Sequence, residues 1–401
     1  MEPDLRAVRL ILLFLLQWTD CSGLLSHAFP PTSLPVTLPS LRDAIEAGDG
    51  DLIVLSDNIE HAGERKITRV RGAAEELLAT IPAGRYTPGE ALFRTGQDQW
   101  WFSAASGDAS KSNVAFVTGG ADGVKRIDVD LHRLPLLWLP LRGETPAGVM
   151  LSLGSDRSTF MIDEVSPSGI HVLGTYPGHL PGNAPSPRQW SAERMPDGRI
   201  AMLSIEESVG SPSRLMLRVF DGHGGLTESP LPGDAQFRDA LATAIDRNGR
   251  VVAVALSPAK QVVTTLIDVN DVNDARCNVL SAAGERAAFA SRGSPAIDVT
   301  GNERIAAWIR DNGTVRACQI TKGSTAVDVG ENADTTASLA HLIGDGGEET
   351  VTFLWNSDRG IVTRRLPRAL QGWALLDDIR RFYADLWRRP WRGDIRYRSA
   401  D

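Results

Sequence analysis

The stretch "SPAIDVTGNERIAAWIRDNGTVRACQI", Ser294 to Ile320, decides the architecture. Within it two short apolar runs, "RIAAWIR" and "TVRACQI", are joined by a polar turn that ends in Asn312-Gly313. Asn and Gly tolerate the positive φ that tight hairpins require, so the stretch reads as a pair of antiparallel strands. The second-strand pattern "RIAAWIR" has six counterparts. They are "DLIVLSD" from Asp51, "QWWFSAA" from Gln99, "GVMLSLG" from Gly148, "RIAMLSI" from Arg199, "RVVAVAL" from Arg250 and "TVTFLWN" from Thr350. Successive starts lie 48, 49, 51, 51, 54 and 46 residues apart. A period near fifty residues with several strands in each unit predicts a β-propeller.

Each unit repeats one grammar. A first strand leads into a turn such as Pro196–Arg199, Asp246–Arg250 or Asp298–Asn302, and the apolar run follows. A third strand comes next, as in Arg214–Phe220, Val262–Asp268, Thr314–Ile320 and Gly360–Leu366. A shorter fourth strand ends in a breaker, as in Leu77–Gly84, His171–Gly178 and Leu226–Gly233. Many runs are apolar on both faces, as strands sandwiched between neighbouring blades must be. The seventh unit lacks its own fourth strand, while "LPVTLPS", Leu34–Ser40, looks like a fourth strand without a first three. The expectation is an all-β, seven-bladed propeller of four-stranded blades over residues 29–370, its ring closed by this N-terminal strand. The repeat resembles the sialidase-like propeller repeat, in which P-x-I-x-D-x-x-G leads to a strand ending in Trp. Pro295 and Ile297 fit it, Asp298 and Gly301 each stand one residue early, Trp308 falls near the end of the following run, and Trp355 repeats that last element. The resemblance covers the four C-terminal units best and implies the fold alone. The S-x-D-x-G-x-x-W box of that family is absent, and its catalytic Tyr and Arg cluster has no counterpart. Of the four Tyr, Tyr383 and Tyr397 lie in the tail, Tyr86 follows a fourth strand and Tyr176 lies on one.

The two ends read differently. Arg6 and Arg9 precede an apolar run, Leu10–Leu16, and Ser26-His27-Ala28 offers a small-x-small cleavage site, so residues 1–28 read as an export signal. The run is far shorter than the roughly 20 residues of a membrane span. Asp20 stands where a lipobox before Cys21 wants a small residue. The expected location is periplasmic or secreted. Residues 371–401 form an Arg- and Trp-rich tail. Leu376, Ile379, Tyr383, Leu386 and Trp387 fall on one stripe of a C-terminal amphipathic helix ended by Pro390. That helix either packs on the propeller or contacts an anionic membrane surface or a partner.

The net charge of −8 disfavours a nucleic-acid partner, although residues 361–401 carry ten Arg against five Asp. Without the signal, Cys277 and Cys318 remain, either bridged or as two buried thiols. The seven His (27, 61, 132, 171, 179, 223 and 341) show no metal-ligand spacing. "DVNDVND", Asp268–Asp274, invites a calcium reading, but Val272 stands at a ligand position and no Gly follows, so an acidic turn is the better reading. No metal and no cofactor are expected, and no nucleophile elbow, P-loop or dinucleotide fingerprint occurs in a fitting context.

Two connections are long: "DLHRLPLLWLPLRGETP", Asp130–Pro146, and "GHLPGNAPSPRQW", Gly178–Trp190. Long loops are disproportionately functional. They point to a ligand site in which Trp138 is an aromatic platform and His132, Arg142, His179 and Arg188 hold an anionic or sugar group. The leading reading is an exported, monomeric, non-catalytic propeller that binds a protein or glycan partner through its loop face. The alternatives are a carbohydrate- or ester-directed hydrolase or lyase at the channel mouth, and a membrane-surface scaffold using the basic tail.

Overall fold

The computed structural model describes residues 31–34, 41–47, 50–83, 91–96, 99–107, 111–154, 159–177, 187–206, 213–231, 237–270, 296–300, 303–320, 326–335, 341–343, 350–358, 360–367 and 370. The signal segment, the C-terminal helix, His179, Tyr86 and Cys277 lie outside them.

The described chain forms seven antiparallel sheets. Blade one holds β2 (Leu41–Glu46), β3 (Leu52–Asp57), β4 (Glu64–Arg71) and β5 (Ala74–Pro82). Blade two holds β6 (Leu92–Arg94), β7 (Trp100–Gly107), β8 (Ser112–Gly120) and β9 (Gly123–Leu131). Blade three holds β10 (Pro135–Pro140), β11 (Gly148–Leu153), β12 (Thr159–Ser166) and β13 (Gly169–Pro177). Blade four holds β14 (Trp190–Arg194), β15 (Ile200–Glu206), β16 (Arg214–Phe220) and β17 (Leu226–Pro230). Blade five shows three strands, β18 (Asp239–Ile245), β19 (Val251–Leu256) and β20 (Val262–Ile267). Blade six holds β21 (Ala296–Thr300), β22 (Glu303–Ile309), β23 (Val315–Gln319) and β24 (Val327–Gly330). Blade seven holds β25 (His341–Ile343), β26 (Thr350–Ser357) and β27 (Gly360–Pro367), with β1 (Thr32–Leu34) on the outside of β27. Thr32, Ser33 and Leu34 pair with Thr363, Val362 and Ile361. The outer strand expected at Leu34–Ser40 therefore meets the observed one only at Leu34; residues 35–40 lie outside the description.

The opening stretch supplies β21, β22 and β23. Its second turn closes through Gly313 N to Arg310 O, 2.9 Å, and Arg310 N to Thr314 O, 2.9 Å, with Gly313 at φ +78°. In blade five the matching first turn is held by Asp246 Oδ1, which accepts from the amides of Asn248 and Arg250 at 2.9 and 3.0 Å. Short polar residues that bond their own backbone stabilise such turns.

Seven apolar clusters fill seven interfaces, one between each pair of neighbouring blades. A row of seven sheets open at its ends would have six. The seventh joins Leu354 and Ile361 of blade seven to Leu41, Leu52 and Val54 of blade one, with Leu34 packed against it. Because every strand alternates its faces, each middle strand feeds two clusters. In β19, Val251, Ala253 and Ala255 pack toward blade four, while Val252, Val254 and Leu256 pack toward blade six. Cys318 is buried in the interface between blades five and six. Cross-blade ion pairs reinforce the packing: Arg304 meets Asp246 at 2.6 Å, Arg365 meets Glu46 at 2.9 Å, and Arg194 pairs with Glu164.

Up-and-down topology sorts the connections. First-to-second and third-to-fourth turns share one end of the ring, here the lower end. Second-to-third turns and the links between blades share the upper end.

Candidate functional site: a buried carboxylate where three blades meet

The strand "WSAER", β14, alternates strictly. Trp190 and Ala192 enter the cluster shared with blade three. Ser191 and Glu193 turn to the other face, where Thr243 of β18 meets both. Ser191 Oγ and Thr243 Oγ1 are 2.6 Å apart, and Thr243 Oγ1 donates to Glu193 Oε1 at 3.0 Å. The third contributor is Arg142, on the hairpin between β10 and β11, whose Nε lies 3.9 Å from Glu193 Oε1. That hairpin is held at its base by Leu141 N to Ala147 O, 3.0 Å. It is tied to blade two by the Trp101 indole, which donates to Gly143 O at 3.0 Å. Blades three, four and five thus converge on one carboxylate at the lower end of the ring.

Glu193 is only 4% exposed. Burial strips water from its charged form and pushes its pKa up to about 7, more than Arg142 and the Thr243 hydroxyl pull it down. The Arg142 side chain stays 48% exposed, so part of its guanidinium fork faces solvent. A proton on Glu193 therefore decides whether Arg142 faces an anion or a neutral acid.

Two other polar groups lie inside blade interfaces. Asp163, on β12, has its pKa raised by burial against the opposing pull of Arg133, which stands 3.4 Å away. At the matching position of blade four, Arg218 is fully buried. It donates to Ser204 Oγ at 2.7 Å and Glu206 Oε1 at 2.6 Å, with its guanidinium 5.6 Å from the Trp190 ring centre.

Of the residues expected to form one ligand site, the four described ones do not come together. Trp138 is not on a loop. It lies on β10, fully buried against Phe116 in an edge-on contact at 6.0 Å, and its indole reaches Ser103 Oγ at 3.2 Å. A ring enclosed in that way offers no face to a ligand. His132 precedes β10 and Arg142 follows it, so they stand at opposite ends of the ring. Arg188, at the upper end, pairs with Asp239 of blade five at 3.2 Å. Of the four described residues, Arg142 alone reaches a buried carboxylate. Glu193 and Thr243 carry no motif of their own in the sequence; the one signal is the period-two alternation of "WSAER", which sets Ser191 and Glu193 apart from Trp190 and Ala192. Asp268 Oδ1 accepts from Asn270 N at 3.0 Å, a local turn; residues 271–274 lie outside the description. Among the described residues no group of three His, Cys, Asp or Glu is placed to hold a metal.

No protein-family model matches the chain, and no curated protein is similar to it in sequence. Among solved structures it is similar to the SapL1 lectin in complex with alpha methyl fucoside, with 12% identity over 74% of this chain and 97% of that one, TM-score 0.45. It is also similar to the β-propeller domain of the Trilobed protease from Pyrococcus furiosus, with 9% identity over 83% and 96%, TM-score 0.44. A protein of unknown function from Dyadobacter fermentans matches with 9% identity over 84% and 99%, TM-score 0.40. Similarity at this level says nothing about what the present chain binds.

Proposed function

We propose that this is an exported binding propeller that takes a carboxylate- or sulfate-bearing partner, glycan or protein, at the lower end of its ring. The observation that carries the proposal is the Arg142–Glu193–Thr243 cluster. A guanidinium held on a hairpin, half open to solvent and matched to the fork geometry of an oxyanion, faces a carboxylate that burial keeps close to neutral. When Glu193 carries its proton, Arg142 is released to an incoming anion. The blades supply rigidity and the hairpin supplies the contact, the usual division between scaffold and loop. Export follows from the signal-like residues 1–28, and closure of blade seven by the N-terminal segment belongs to the same reading. The repeats resemble the sialidase type at the level of fold, without that family's catalytic groups.

The test is binding of polygalacturonate and poly-glutamate, with dextran as the neutral control, at pH 6. Binding of the acidic polymers that is lost in Arg142→Ala with an unchanged melting temperature supports the proposal. Equal binding of dextran, or full binding by the variant, refutes it. One observation favours a second reading. A carboxylic acid that titrates near 7 suits a general acid in glycoside cleavage. Release of reducing ends from polygalacturonate, abolished in Glu193→Gln, would establish that alternative.

A further inference from the structure

The outer strands differ greatly in length. β5, β9 and β13 each run nine residues, against five for β17 and four for β24. An outer strand presents a row of backbone donors and acceptors, and a long exposed edge is a template for another strand. β9 is the most open of them. From Gly123 through Asp128 every residue is exposed, so both faces of the strand stand clear of the neighbouring blades. Val124 is 37% and Ile127 45% exposed. Among the described residues β8 is the strand that pairs with it, on its inner side.

The sequence of that edge, "GVKRIDVDL", is self-complementary. Laid antiparallel on a second copy with the two-fold axis at Ile127, it sets Ile127 opposite Ile127. Arg126 then faces Asp128 of the other copy, and Asp128 faces Arg126, on the same side of the sheet. Lys125 falls opposite Val129, so no like charges are directly opposed. Within one chain Arg126 and Asp128 already form an exposed pair at 2.9 Å, both reaching the same side. Opposite-charge and β-branched cross-strand pairs are what stabilise antiparallel ladders. β5 and β13 lack this property. About Leu77 the β5 edge carries Glu75 and Glu76 with no cation to meet them, and about Val172 the β13 edge has no opposite charges.

We infer that β9 is a self-association edge: it pairs antiparallel with β9 of a second copy about Ile127, joining the two second blades into one eight-stranded sheet. Such a contact is isologous and closes on two copies. It replaces the monomer expected from sequence, and it is independent of the anion site. Two rings meeting at their rims would each keep the lower end open, so an anchored or repetitive partner would meet two sites at once.

Sedimentation velocity of the full chain over a hundredfold concentration range tests it. The wild type forms a dimer. Arg126→Asp places two Asp opposite each other twice and weakens the dimer at least about tenfold. The double variant Arg126→Asp/Asp128→Arg restores opposite charges in the same register and recovers the dimer. Both positions are solvent-exposed, and melting curves confirm that each variant is folded. A wild type that stays monomeric, a single variant that dimerises normally, or a double variant that fails to recover overturns the inference.

Discussion

Replacing Glu193 with Gln isolates the cost of the buried carboxylate. The amide is nearly isosteric, and its oxygen still accepts from Thr243, so packing is conserved. In the folded chain the carboxyl titrates near 7, against 4.5 as the ordinary value of the unfolded chain. Between those two values the folded state holds a proton that the unfolded state has released. Stability contributed by this group is thus greatest below pH 4.5 and falls as pH rises to 7. The 2.5-unit gap corresponds to about 3 kcal/mol at pH 8. The attraction of Arg142 is already contained in that gap, because it holds the value down to about 7. Urea denaturation followed by tryptophan fluorescence at pH 5, 6, 7 and 8 should show the two proteins converging at the acid end. At pH 8 the variant should be about 3 kcal/mol more stable. Parallel pH profiles would mean that Glu193 is not desolvated as argued.

Further outcomes follow from the packing. Trp138→Ala should cost about 3–5 kcal/mol through the cavity it leaves, lowering the melting temperature sharply. Gly148→Ala would drive a methyl to within 2.3 Å of the Trp138 ring; overpacking of this kind costs about 1–3 kcal/mol in denaturation experiments. Asp246→Asn removes the latch to Arg304 and should cost about 2–3 kcal/mol at pH 7. Burial works against the Asp246 charge, but hydrogen bonds and the two Arg outweigh it and hold its pKa low. The difference between the two proteins therefore shrinks as pH falls from the ordinary value of 3.8 down through that lowered one. Deleting residues 1–40 strips β1 from β27 and leaves a bare edge, which should lower the melting temperature or reduce solubility; unchanged behaviour of the truncated protein would show that the ring does not need this strand.

Most of the ring was readable because the second and third strands carry two-sided apolar runs between Gly-containing turns. The run from Arg214 to Phe220 is β16 residue for residue, and the run from Arg250 contains the whole of β19. First strands were harder to read. β10 lies inside the stretch that reads as one long connection, Asp130–Pro146, and Pro135 and Pro140, residues that ordinarily punctuate, bracket it. As the innermost strand it is a sheet edge, where a missing N–H breaks no ladder bond, so both prolines fit. That misreading put Trp138 in a loop and set Arg142 beside His132. The Glu193 cluster could not be read at all, because it depends on which faces of blades three, four and five meet, and the strand pattern fixes faces only within a blade.

The most direct test of the proposed site is the pH dependence of polygalacturonate binding in the wild type and in Glu193→Gln. If Arg142 is released when Glu193 is protonated, the wild-type affinity should fall about tenfold between pH 6 and pH 8 as the competent fraction falls. The Gln variant should bind with the pH 6 affinity throughout. The same pH profile in both proteins, or binding by neither, would contradict the account.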